Sequence, residues 1–162
     1  MKKIIITMLL LLTTMNTVMA QEVYLEIRKM AQEKVEDPKS APIVKNINKF
    51  KLDALNYMAL KMREEMPDSS AQFLDDMALA LHMFITNYSK DLVSSSKQPA
   101  AYQAKVIRAY VDASYSNPLF KDNDEDTVLA YFLDANSITR FSFDTDWRRA
   151  LLAAEAAVKK LN

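Results

Sequence analysis

Residues 43–92 read IVKNINKFKLDALNYMALKMREEMPDSSAQFLDDMALALHMFITNYSKDL. In the first half, Ile47, Phe50, Ala54, Tyr57 and Met58 recur at helical spacing, and Leu52, Leu55, Ala59 and Met62 form a second stripe. Two apolar stripes on one helix require burial on two sides. The helix therefore runs from about Ile43 to Glu65 and is the expected central element. Met66-Pro67-Asp68-Ser69 is a stop followed by a start, and Ser69 with Gln72 has the spacing of a capping box. A third helix, about Ser70 to Leu92, turns Leu74, Met77, Leu81, Phe84, Ile85 and Tyr88 inward. So short a turn predicts an antiparallel hairpin.

The rest of the composition agrees with this pair. The 162-residue chain contains no glycine, where average usage of about 7% would supply roughly 11. Hairpin turns, phosphate-cradling loops, dinucleotide turns and nucleophile elbows all draw on glycine's positive φ. Helices need it only at their ends, where asparagine or water substitutes. There is also no cysteine, so neither disulfides nor thiolate chemistry enters. The expected fold is all-α, a bundle or hairpin array of about six helices held by burial alone.

Outward from the hairpin, a first helix spans Glu22 to Glu36, with Val23, Ile27, Met30 and Ala31 on one stripe, and Asp37-Pro38 and Pro42 mark a linker. After Ser94-Ser95-Ser96 and Pro99, a fourth helix runs to Tyr115, with Pro99 suited to its first position. A short helix covers about Glu125 to Ala135, and residues 136–143 are a connector. The last helix, Thr145 to Leu161, carries Asp144 and Asp146 at its start and Lys159 and Lys160 at its end, which complements the helix dipole. A tetratricopeptide-like array is the minor alternative, since the Trp-Leu-Gly-Tyr signature of that repeat is absent.

The amino terminus predicts export. Lys2 and Lys3 precede an apolar run from Ile4 to Leu12, and Val18-Met19-Ala20 offers small residues for cleavage before Gln21. That is the pattern of a secretory signal peptide over residues 1–20, and the run is too short for a spanning helix. The expected mature domain, 21–162, carries 19 basic and 21 acidic side chains. So nearly neutral a chain has no electrostatic claim on nucleic acid. The expected location is the periplasm or the medium.

Candidate chemistry is sparse. His82 is the only histidine. Zinc needs several Cys or His ligands, and with no nucleophile placed beside it His82 reads as flanking the core. Asp122, Asp124 and Asp126 match the first positions of a calcium loop, but Thr127 stands where glycine is required and Leu133 where the bidentate glutamate should be. A cap on the following helix accounts for the same acids. Glu64-Glu65 and Asp75-Asp76 diverge by about 100° on a helix and cannot face one another across a sugar. The methionines sit at helical spacing and read as core filler. No metal and no cofactor is expected.

Residues 137–147, SITRFSFDTDW, hold the densest group of distinctive side chains. Arg140, Phe141, Asp146 and Trp147 are the candidate ligand- or partner-binding residues, since loops bearing arginine and aromatics are common recognition elements. In the competing and preferred reading, Trp147 buries into the bundle and Arg140 pairs with a helix-start aspartate.

Together, residues 49–57 (KFKLDALNY), 63–70 (REEMPDSS), 117–120 (NPLF) and 141–147 (FSFDTDW) resemble a group of small exported helical proteins of Bacteroidetes-type bacteria. The resemblance covers most of 45–158 and implies export and a helical fold, with no activity and no site residues to carry over. The functional expectation is a non-enzymatic binding or adaptor protein of the bacterial envelope, contacting a protein or a small ligand. The alternatives are a carboxylate-based hydrolase or lyase using His82 or Arg140, and a structural homodimer subunit that completes its burial in a second copy.

Overall fold

The computed structural model describes residues 22–122, 125–135 and 137–161, with the side chains of 125–127 excepted. The expected signal peptide at 1–20 lies outside the described residues, as do Asn123 and Asp124 of the acidic run. The described residues form six helices and no strand. They are α1 (Glu22–Glu36), α2 (Pro42–Glu65), α3 (Ala71–Ser95), α4 (Ala100–Tyr115), α5 (Glu125–Leu133) and α6 (Trp147–Lys159). The all-α expectation holds, and no described helix is long and apolar enough to cross a membrane.

Local chemistry sets the boundaries. Pro42 opens α2 at a position whose N–H would have no partner, and Pro67 follows its end. Ser70, not Ser69, caps α3, its hydroxyl accepting the Phe73 N–H at 3.2 Å. Ser69 instead closes the turn by donating its N–H to the Met66 carbonyl, and the Gln72 amide turns to Asp76. Pro99 stands at the cap of α4 rather than inside its first turn. α3 runs three residues past Leu92 because the hydroxyls of Ser94, Ser95 and Ser96 donate back to carbonyls three residues earlier. Asp146 caps α6 by accepting the Arg149 N–H.

α3, rather than α2, is the central helix. It packs against α1, α2, α4 and α6 and buries ten residues against the seven of α2. The hairpin is antiparallel as expected, with Met62 and Leu74 together beside the turn. α1 lies on both of its members. It is tied to α3 by Asp75, a buried carboxylate that accepts the Tyr24 N–H at 2.9 Å in the first turn of α1. Met30, expected inward, is exposed; Tyr24, Ile27 and Ala31 carry the buried stripe.

Two-sided burial of α2 comes from an aromatic cluster. Phe50 meets Tyr131 of α5, Phe141 and Phe143 of the connector, and Trp147 of α6 at centroid distances of 5.1–6.3 Å. Phe84, Tyr88 and Tyr110 extend the cluster through Phe141 and Trp147. Edge-to-face pairs of this kind add about 0.5–1.5 kcal/mol beyond the area they bury.

The connector that delivers Phe141 and Phe143 has no helix or strand of its own in residues 137–146. It is held by side chains that take over the backbone's hydrogen bonding. Asp144, buried, accepts N–H groups from Leu119 (3.0 Å), Phe120 (2.7 Å) and Asp122 (2.7 Å). The Thr145 hydroxyl donates to the Ser142 carbonyl and lies 3.0 Å from the hydroxyl of buried Ser114, which accepts the Ser142 N–H. The Asp146 N–H donates to the Asn117 carbonyl at 2.7 Å. Asp122 bonds Tyr57 and Lys61 of α2; the hydrogen bonds that Lys61 makes to Asp122 and Glu65 raise its pKa.

The turn wrapped around Asp144 contains Lys121 at φ 60°, the one positive-φ residue among those described. A β-carbon there costs roughly 1–2 kcal/mol. Lys121→Gly is expected to match or exceed the wild type by up to about 1 kcal/mol, the greater freedom of the unfolded chain offsetting part of the gain. Asp144→Ala, which strands three N–H groups, should lose about 3 kcal/mol. Urea unfolding of both variants measures these shifts.

Candidate ligand cavity

Of the four residues singled out by sequence, three are structural. Phe141 and Trp147 are fully buried in the aromatic cluster, and Asp146 is buried as the cap of α6 with Arg148 and Arg149 beside it. The Trp147 Nε1 has no hydrogen-bond partner among the described residues, and the indole packs in T-shaped contacts with the rings of Phe50 and Phe84. Arg140 alone stands at the surface. It does not pair with a helix-start aspartate: among the described residues it makes no ion pair, and its guanidinium lies 5.7 Å from the centre of the Phe132 ring.

Arg140 lines a cavity of about 410 Å3 between the second half of α3, the face of α4 and the start of the connector. Leu92, Ile107, Val111 and Ile138 give aliphatic walls, and Tyr88, Gln103 and Ser137 complete them. The volume falls in the range of small-molecule sites, which are mostly apolar with a few placed polar groups. Three of those polar groups are already engaged by the protein. Tyr88 donates to the Ile138 carbonyl at 3.0 Å, Ser137 to the Thr139 carbonyl at 3.0 Å, and Gln103 reaches the Leu92 carbonyl at 3.5 Å. Burial pushes the Tyr88 hydroxyl up to about 12, with the positive charge of Arg140 pulling the other way. Periodicity marked Tyr88 as core, but nothing in the sequence joined α3, α4 and residues 137–140 around a space; that depends on how the connector is pinned.

His82 is not among the residues lining this cavity. It is half-buried on α3, and its pKa is lowered first by desolvation and then by the charge of Lys51 on α2. Lys51 is itself only 8% exposed and lowered by desolvation. Desolvation and the neighbouring ammonium both favour the neutral imidazole, and no carboxylate among the described residues is hydrogen-bonded to it in the manner that orients a catalytic base. No three His, Cys, Asp or Glu side chains among the described residues converge as metal ligands.

A second cavity of about 550 Å3 opens at the α2–α3 turn beside Tyr24, Met62, Arg63 and Leu74. It holds none of the residues singled out by sequence.

No protein-family model matches the chain, and neither a curated protein nor a solved structure matches it.

The Lys51–His82 pair carries a pH signature. Because His82 titrates lower in the folded chain than in the unfolded one, the unfolded state takes up a proton first as pH falls through about 6.5. Stability is then lost on the acid side. His82→Gln should flatten the melting temperature between pH 7 and 5 relative to wild type, measured by thermal unfolding at each pH.

Proposed function

We propose that this protein is a non-enzymatic binding protein of the bacterial envelope, exported by its first twenty residues, that holds a ligand in the cavity between α3, α4 and the connector. The observation that carries this reading is the cavity itself. Its apolar walls have their own polar groups satisfied, and one guanidinium stands at its edge without an ion pair among the described residues. Such a site favours retention over reaction, since general acid–base work needs a positioned proton carrier within hydrogen-bond reach of the reacting group. The hydrolase or lyase alternative draws no support from His82, which sits with Lys51 away from these walls.

The test is thermal unfolding in the presence of small-molecule fractions from the envelope. A ligand held at about a hundred times its Kd adds about 2.7 kcal/mol, a rise of about 10 °C for a chain of this size. Ile107→Trp, which fills the cavity, should abolish the rise. Fractions that leave the wild type unmoved, or that move wild type and variant alike, contradict the proposal.

A further inference from the structure

Resting on that reading, we infer that the ligand is an amphipathic monocarboxylate: an acyl chain between α3 and α4 with its carboxylate on Arg140. Leu92, Ile107, Val111 and Ile138 offer only hydrocarbon, and among the described residues no acidic side chain lines the space. The hydroxyls of Tyr88 and Ser137 are already donating to backbone carbonyls. A peptide would carry its own amides into this space and leave them without partners, at a cost that a hydrocarbon tail does not incur.

The charge at the rim fixes the other end. Arg140 rests against Phe132, 5.7 Å from the ring centre, a contact that leaves N–H groups of the guanidinium available to a planar acceptor. A carboxylate matches that fork bidentately, which an ammonium in the same place cannot do. One guanidinium balances one negative charge; a phosphate monoester would bring nearly two. A cationic amphiphile would meet like charge, and a neutral alcohol would forgo the ion pair.

Isothermal titration of the purified protein with decanoate, decanol and decyltrimethylammonium, each kept below micelle formation, tests this directly. Decanoate should bind one to one, about tenfold or more tighter than decanol, and decyltrimethylammonium should give no measurable heat. Arg140→Gln should lower decanoate to the level of decanol and leave decanol unchanged, while Arg140→Lys, with charge but no fork, should fall between. Ile107→Trp should remove binding of both; Val111→Phe, a smaller filling, serves if the first variant unfolds early.

Equal affinity for acid and alcohol overturns the inference, as does discrimination that survives Arg140→Gln. So does tighter binding of an acetylated tripeptide with a free carboxyl terminus. If no amphiphile binds but Ile107→Trp still abolishes stabilisation by envelope fractions, the ligand class is wrong and the binding cavity stands. If neither effect is seen, both fall.

Discussion

The carboxylate of Asp144 and the three N–H groups it gathers from Leu119, Phe120 and Asp122 are the constraint on which the rest of the molecule depends. A stretch without helix or strand must place every buried backbone polar group somewhere. Here one buried side chain does so for the segment after α4, while Ser114 and Thr145 do the same for the connector. With both segments tied together, Phe141, Phe143 and Trp147 enter the core between α2, α3 and α6. The alternation in FSFDTDW thus has two faces: rings into the aromatic cluster, and Asp144 onto the backbone of residues 119–122, with the Ser142 N–H on the Ser114 hydroxyl. Hydrogen bonds to a charged acceptor contribute more than neutral ones, which makes Asp144 the strongest single tie.

The cavity is a by-product of that tie. Ser137, Ile138 and Arg140 sit just ahead of the pinned residues and face α3 and α4 because Phe141 is fixed against Phe84 and Tyr88. α5 meets the same cluster through Val128 and Tyr131. Burial raises the pKa of Tyr131, and its hydroxyl donates to Asp53 at 2.6 Å, which raises it further. The outer face of α5 leaves Leu129, Phe132 and Leu133 exposed, and Phe132 carries the guanidinium of Arg140. α5 thus supports the charged residue of the cavity lining, Arg140, from outside it.

Much of this was legible in the residues. The absence of glycine and the 3.6-residue periodicity were enough for an all-helical chain, because both act through local sterics. The boundaries drifted where side chains competed with the backbone, as in the serine run that extends α3 and the choice of Ser70 over Ser69. Centrality went to α3 because it depends on how many neighbours a helix meets, which periodicity alone does not reveal. In the distinctive segment, the burial of Trp147 was weighed from its type, while Phe141, a binding candidate by sequence, proves equally buried. The exposure of Arg140 and the cavity beside it were not legible, since the cavity arises where α3, α4 and the connector meet, as in the bond from Tyr88 to Ile138. Glycine's absence also has a local cost, at Lys121, that only the folded turn discloses.

Native-state hydrogen exchange at the amides of Leu119, Phe120 and Asp122 probes the central claim most directly. These three amides lie in a segment without regular structure, where exchange would ordinarily be fast. If Asp144 organises the molecule as described, they exchange only through the same global opening that exposes the amides of α3. Exchange at the rate of a solvent-exposed loop would contradict the account, and with it the claim that the connector and the cavity it borders are fixed by one buried carboxylate.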